Sequence, residues 1–173
     1  MVLQILKDLN CPSNIFKLIF SFLDNRQVFL NYDGSCTTKN YSIGCPQRYN
    51  SGPLYWLLIA NGALQLGFEE DVRLLTYADD FYLFVKSTSK QTIQEKVTRA
   101  LEQLDLWSKR VKISFAHEKT KLLPFGKKVK YKHPPYCKFA GNYQIRQKPQ
   151  NVGVILDDGL NGMAHLNHIG SKV

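Results

Sequence analysis

The sequence predicts an α+β fold in which strands come as local hairpins separated by helices. Two short turns, Asp33-Gly34 and Ala78-Asp79-Asp80, each lie between segments whose residues favour strands. Longer segments with apolar residues at helical spacing lie before, between and after these hairpins. Strands that pair as local hairpins form an antiparallel sheet, so we expect helices to cover one face of that sheet.

The first part of the chain is expected to contain three helices and one hairpin. Cys11-Pro12-Ser13 provides a break and an N-cap between the first two helices, and Pro53 suits the first turn of the third. The helices are expected at Val2 to Leu9, Ser13 to Leu23 and Pro53 to Leu66, and the strands at Arg26 to Leu30 and Thr38 to Ile43.

The rest of the chain is expected to contain a second hairpin, a long helix and short closing elements. Thr88-Ser89-Lys90-Gln91 has the form of a capping box, and the following helix carries an apolar, core-facing stripe from Ile93 to Val111. The other elements are expected as strands at Val72 to Tyr77, Phe81 to Val85 and Lys121 to Phe125, a basic loop at Gly126 to Tyr136, a final hairpin of Tyr143 to Ile145 with Val152 to Leu156, and a closing helix at Gly162 to Val173.

The composition favours one basic, intracellular folded unit. The chain has 173 residues, of which 44% are hydrophobic, and this is enough for one sizeable core. A net charge of +9 favours a polyanionic partner such as nucleic acid, although many basic proteins bind none specifically.

Four widely spaced cysteines are typical of reduced thiols, which predicts that the protein is located in the cytoplasm or the nucleus. The apolar run Ile15 to Leu23 is interrupted by Lys17 and is too short to cross a membrane.

The acidic turn (Ala78, Asp79 and Asp80) carries the strongest signal for chemistry. Strand-like segments flank it on both sides, so a hairpin would project the two carboxylates at one edge of a sheet. Adjacent like charges repel unless a divalent cation or solvent compensates them, and Mg²⁺ prefers oxygen ligands of this kind. The turn therefore suggests a metal-dependent nucleotidyl-transfer site. An ordinary polar turn is the alternative, because Asp is a common turn residue.

Four blocks of the chain, in their order and spacing, resemble the reverse transcriptase of non-LTR (LINE-type) retrotransposons, specifically of arthropod-type elements. The blocks are Gly44-Cys45-Pro46-Gln47 through Trp56, Tyr77-Ala78-Asp79-Asp80, Trp107 with Ile113-Ser114-Phe115 and Glu118-Lys119-Thr120, and Gly153-Val154-Ile155-Leu156-Asp157 through His165-Leu166. Each block alone is a weak signal, and the four together are a strong one. The resemblance covers the chain from about Leu3 to His165.

The resemblance implies a fragment of an RNA-directed DNA polymerase. Its fold would be a partial right hand, with an antiparallel palm-type sheet of hairpins packed against helices. Residues 1–150 would be part of the fingers and palm, and residues 151–173 the final palm hairpin and the start of the thumb. Gly153 would belong to the primer grip. The partners would be an RNA template, a DNA primer and a dNTP, and the cofactor would be Mg²⁺ in a two-metal site.

The resemblance also implies roles for five further residues. Asp79 would be a catalytic metal ligand, and Asp80 would bind the metal with it or orient it. Lys119 would neutralise or protonate the departing pyrophosphate, although such a lysine is as often a surface charge. Gln47 would contact template or nucleotide, and Arg26 would meet a phosphate. A loop-stabilising amide and a surface cation are the alternatives for these two residues.

Departures from the family pattern predict little polymerisation by this chain alone. In the family, a first palm strand with another catalytic aspartate precedes the region that resembles Leu3 to Leu30, so we expect that ligand to be missing. Arg48 stands where the family has glycine, and it should obstruct the close approach of template and nucleotide. A non-catalytic nucleic-acid-binding remnant is therefore a second hypothesis. An unrelated α+β interaction domain is a third, and a buried acidic turn would favour it.

Overall fold

The computed structural model describes residues 1–41, 44, 49–125, 144–145, 150–151, 154–156, 159 and 161–171. The chain divides into two compact units: unit 1 is Met1–Leu66 with Thr76–Asp80, and unit 2 is Gly67–Leu75 with Phe81–Val173. Helices alternate with small two-stranded sheets along the chain, which confirms the predicted α+β class. Of the helices in the described part of the chain, none combines the length and the apolar character needed to cross a bilayer.

Three helices of unit 1 form where the apolar spacing predicts them. They are α1 (Val2–Asp8), α2 (Ser13–Leu23) and α3 (Gly52–Leu64). Pro53 lies in the first turn of α3 as expected, and the helix ends slightly before the expected Leu66. Leu6 of α1, Ile19 of α2 and Tyr55 of α3 are buried together and form the core of this unit. The three helices are thereby packed against one another.

The first hairpin of unit 1 is exposed on both faces. Its strands are β1 (Gln27–Tyr32) and β2 (Ser35–Asn40), paired antiparallel with Tyr32 opposite Ser35. Asp33 and Gly34 form a two-residue turn, and both have positive φ, at 45° and 74°. The bounds expected for the second strand, Thr38 to Ile43, are wrong. After a two-residue turn, strand pairing begins at the next residue, which is Ser35.

The longest helix of unit 2 is α4 (Lys90–Val111). Ser89 is its N-cap and accepts a hydrogen bond from the amide of Thr92 at 3.5 Å. The expected capping box, which began at Thr88, is therefore wrong by one residue, since the capping oxygen must reach the third amide of the helix. The predicted core stripe is confirmed, because its central members are buried: Val97, Ala100, Leu104, Trp107 and Val111.

The second hairpin consists of β3 (Val72–Tyr77) and β4 (Asp80–Val85), joined by Ala78 and Asp79. Burial alternates along β3, and most of β4 is half-buried. This pattern is typical of a hairpin with one face packed and the other exposed to solvent. Both strands lie where the sequence predicts them, with β4 starting one residue earlier.

The closing elements differ from the expected final hairpin. They are β5 (Lys121–Leu122), β6 (Gln144–Ile145), β7 (Gln150–Asn151), β8 (Val154–Ile155) and α5 (Met163–Gly170). The predicted pairing of β6 with β8 is wrong, because β6 pairs parallel with β5, whereas β8 pairs antiparallel with β7. The short connection between β7 and β8 favours their local pairing. The expected basic loop lies outside the described residues.

Candidate metal and nucleotide site

The acidic turn lies at the exposed end of the β3–β4 hairpin. Asp79 occupies the turn and Asp80 begins β4, and both are exposed. Ala78 has a φ of 50°, in the left-handed region that costs a non-glycine residue roughly 1–2 kcal/mol. The exposure of both carboxylates counts against the hypothesis of an unrelated interaction domain, which a buried turn would have favoured.

A tryptophan of α3 holds the acidic turn within unit 1. The Nε1–H group of Trp56 donates a hydrogen bond to the carbonyl oxygen of Ala78, with an N···O distance of 2.5 Å. Trp56 is half-buried on its helix. Trp56 belongs to a block of the resemblance, but nothing local in the sequence indicates its bond to a residue 22 positions away.

The residue that follows the two aspartates is anchored in unit 2. The ring of Phe81 packs against Trp107 at a centroid distance of 5.7 Å, and edge-on against Phe115 at 5.3 Å. Trp107 is 2% exposed and is the largest fully buried side chain of the described residues. Since aromatic pairs in these arrangements stabilise beyond their buried area, the start of β4 is held firmly.

The acidic turn fits a partial Mg²⁺ site. Mg²⁺ is commonly bound by one or two carboxylates together with waters and substrate phosphates, and the exposure of Asp79 and Asp80 leaves room for such ligands. The described residues contain no group of three or more His, Cys, Asp or Glu side chains that could hold a metal ion. Asp79 and Asp80 would therefore contribute part of a ligand set.

Arg26 contacts Gly44 and Tyr41. Its Nη2 donates to the carbonyl oxygen of Gly44 at 2.9 Å, and its guanidinium lies over the ring of Tyr41 at 4.6 Å from the centroid. Gly44 has a φ of 86°, and a side chain there would meet the hydroxyl of Tyr41 at 3.0 Å. These contacts hold the guanidinium of Arg26 against Gly44 and Tyr41, and its contact with a phosphate stays a prediction.

Lys119 lies in a single 3₁₀ turn, His117–Lys119, and is exposed. Phe115, just before this turn, packs against Phe81, so the segment that carries Lys119 is tied to β4 in the same unit. The other two predicted site residues, Gln47 and Gly153, lie outside the described residues, as does Arg48.

Two ion pairs join the start of the second hairpin to α4. Lys96 donates to Asp71 at 2.9 Å, and Arg99 donates to Glu69 at 2.6 Å. The hydrogen bond from Lys96 and its positive charge hold the pKa of Asp71 below its ordinary value of 3.8. The hydrogen bond to Glu69 raises the pKa of Arg99. These carboxylates therefore brace the hairpin within unit 2.

An exposed carboxylate pair on a hairpin turn, in a chain of net charge +9, is compatible with a protein that acts on nucleic acid. The family is identified by comparing the whole sequence with models of known protein families. The chain belongs to the reverse transcriptase (RNA-dependent DNA polymerase) family, whose model matches residues 2–146.

The relatives of the chain are proteins of arthropod retrotransposable elements. It is 25% identical to the Retrovirus-related Pol polyprotein from type-1 retrotransposable element R1 of Bradysia coprophila, over 98% of this chain and 17% of that protein. It is 26% identical to the Putative 115 kDa protein in type-1 retrotransposable element R1DM of Drosophila melanogaster, over 97% and 16%. The identity is 24% with the RNA-directed DNA polymerase from mobile element jockey of the same fly, over 91% and 18%.

The match confirms the expected kinship with arthropod non-LTR reverse transcriptases. The chain spans about a sixth of the length of these relatives, since 16% to 18% of each is covered. No solved structure matches the chain.

Proposed function

We propose that this chain is part of the polymerase domain of a non-LTR retrotransposon reverse transcriptase, which extends a DNA primer with dNTPs on an RNA template. The observation that carries the proposal is the exposed acidic turn, braced by Trp56 and Phe81, within the residues that the family model matches. In this proposal residues 1–150 are part of the fingers and palm, and residues 151–173 contain the final palm hairpin, with Gly153 in the primer grip.

The acidic turn would hold the cofactor of the reaction. Asp79 is the proposed main ligand of Mg²⁺, and Asp80 binds beside it or orients it. When bound, Mg²⁺ lowers the pKa of the primer hydroxyl and stabilises the charge that develops during phosphoryl transfer. The protein's part is to hold the carboxylates at the end of a hairpin, where the triphosphate and the primer can reach them.

Three other side chains would position and neutralise the substrates. The exposed ammonium of Lys119 neutralises the departing pyrophosphate or donates a proton to it. Gln47 would hydrogen-bond the template or the nucleotide. Arg26 donates to Gly44, three residues before Gln47, and it would also meet a phosphate.

The chain alone is proposed to polymerise little or not at all. Two carboxylates are part of a two-metal site, and the family pattern assigns a further aspartate to a strand upstream of the region that resembles Leu3 to Leu30. Arg48 places a long cation where the family has glycine. Mg²⁺-dependent primer extension on an RNA template by the purified chain of 173 residues would contradict this proposal.

The binding of a metal–nucleotide complex tests the proposed site directly. Calorimetric titration with Mn²⁺ and dTTP should show binding that weakens by about tenfold or more in the Asp79→Asn variant, because a ligand carboxylate is replaced by an amide. Asp33→Asn is the matched control, since Asp33 also lies exposed in a two-residue hairpin turn. Equal affinities of the wild type and the Asp79→Asn variant would overturn the assignment.

A non-catalytic nucleic-acid-binding remnant is the second candidate, favoured by the net charge of +9. In this case the chain binds an RNA–DNA duplex with an affinity that falls steeply with salt, because Lys and Arg displace counterions from phosphates. That binding would survive Asp79→Ala, and no Mn²⁺-dependent binding of dTTP would occur. Salt-insensitive or absent duplex binding would count against both candidates.

A further inference from the structure

We propose that Trp56 is a positioning residue that fixes the acidic turn in the conformation from which its aspartates project. The turn and the helix that carries Trp56 both belong to unit 1, so one compact body contains the whole contact. The effect on metal binding rests on the function proposed above. The effect on the order of the turn does not depend on that function.

The hydrogen bond of Trp56 reaches the most constrained residue of the turn. An indole has a single donor, Nε1–H, and here it donates to the carbonyl oxygen of Ala78. Ala78 has a φ of 50°, a conformation that only glycine adopts without penalty. A non-glycine residue keeps such a conformation when surrounding contacts hold it there. The bond from Trp56 is a contact of this kind.

The helix that carries Trp56, α3, is itself packed in the core of unit 1 and can therefore hold the turn in place. Tyr55, the preceding residue, is 6% exposed and packs with Leu6 and Ile19 in the core of unit 1. Its ring also lies 6.2 Å from that of Phe22. Trp56 thus projects from a helix that is fixed one residue away.

A cleft beside α3 also brings the end of β3 close to this helix. The cleft has a volume of about 280 Å³, and Thr76 of β3 lines it together with Leu57, Leu58 and Asn61 of α3. Thr76 lies two residues before Ala78, so the same end of the hairpin meets α3 at two places. Thr76–Asp80 is the part of the hairpin that belongs to unit 1.

Precise placement of the turn matters for the proposed chemistry. A binding carboxylate must be held to within about 0.5 Å by groups that are themselves fixed, and a loosened support weakens the site even when every ligand is present. Trp56 acts through the backbone of Ala78 and has no proposed contact with substrate or metal. We therefore assign it a positioning role.

The Trp56→Phe variant tests this role, because it keeps an aromatic ring and removes the indole donor. NMR relaxation should give backbone order parameters of about 0.85 for Ala78 and Asp79 in the wild type, and the values should fall to about 0.6 in the variant. The affinity for Mn²⁺ with dTTP should fall about fivefold, the effect of one ordinary hydrogen bond. Tyr55→Phe is the control, since it removes a polar group from the same helix and should leave both quantities unchanged.

The outcomes separate the two proposals. Unchanged order parameters in Trp56→Phe, or equal changes in Tyr55→Phe, would overturn the role of Trp56 even if Asp79→Asn weakens metal binding. Conversely, a disordered turn in Trp56→Phe together with no effect of Asp79→Asn would support the positioning role and contradict the metal site. If Trp56→Phe does not fold, a measurement on the wild-type protein tests the positioning role instead. Its Trp56 indole N–H should exchange with water at least about tenfold more slowly than a free indole, and exchange at the free rate would overturn the role.

Discussion

The two hairpins of this protein share a design and differ in what supports them. Each joins two six-residue strands through a two-residue turn, and each turn contains an exposed aspartate, Asp33 in one and Asp79 in the other. Every residue of β1 and β2 is exposed. The β3–β4 hairpin is braced by Trp56 at its turn and by Phe81 at the start of β4. Bracing by distant residues, more than the turn's own composition, distinguishes a candidate site from an ordinary polar turn.

The largest difference between the hairpins should appear when their aromatic neighbours are removed. Trp107→Ala deletes the buried ring against which Phe81 packs, and we expect a loss of about 3–5 kcal/mol in the free energy of unfolding. Phe29→Ala on β1 is the matched change on the other hairpin. Phe29 is 64% exposed, so the expected loss is below about 0.5 kcal/mol. Urea denaturation measures both, and similar losses would contradict the comparison.

Exchanging glycine and alanine at the two turns should give effects of opposite sign. Gly34→Ala places a side chain at a φ of 74° with no atom within 4 Å to meet it, so strain alone should destabilise the protein by about 1 kcal/mol. Ala78→Gly removes the corresponding strain at a φ of 50° and should raise stability by about 0.5 kcal/mol after the entropic cost of glycine. Thermal unfolding of the two variants measures the difference. A destabilised Ala78→Gly variant would show that the wild-type turn is not strained.

The smallest predicted effect is on the stability of the protein at acidic pH. Lys96 lowers the pKa of Asp71 in the folded state, so this pair stabilises the fold above the unfolded pKa, and the stabilisation is lost as the pH falls through the lower, folded value. Removing the charge in Lys96→Met should reduce stability near neutral pH, and the difference from the wild type should shrink as the pH falls through the folded pKa of Asp71, which lies below 3.8. Lys39→Met on β2 is the control and should change the pH profile little. A Lys96→Met profile parallel to the wild type over the whole range would contradict the assignment.

The sequence was sufficient to predict the elements whose signal is local and repeated. The apolar spacing of α1, α2 and α4 and the Asp33-Gly34 turn are examples, because each depends on residues a few positions apart. The strands β5, β6 and β8 lie within predicted strands, but their pairing was not predicted, because the parallel pairing of β5 with β6 depends on distant residues. The predicted N-cap was Thr88 and the observed one is Ser89, because two adjacent hydroxyl residues give equivalent local signals.

The candidate site shows the same division. The position of Asp79 and Asp80 at a hairpin turn followed from the residues around them, and their link to nucleotidyl transfer came from the resemblance of the whole chain. The bond from Trp56 to Ala78 spans 22 positions and could not be predicted, because it depends on how α3 packs. The contact of Arg26 with Gly44 spans 18 positions and could not be predicted either, whereas the expected phosphate contact of Arg26 stays a prediction.

The most direct test of the account compares the two hairpin turns within one sample of the wild-type protein. Mn²⁺ bound by carboxylates broadens the NMR signals of nearby amides, so a titration with Mn²⁺ and dTTP reports which turn binds the metal. We predict that the amide signals of Asp79 and Asp80 broaden first, while those of Asp33 and Gly34 stay sharp at the same Mn²⁺ concentration. Equal broadening at both turns, or earlier broadening at Asp33, would contradict the claim that the braced turn is the metal site.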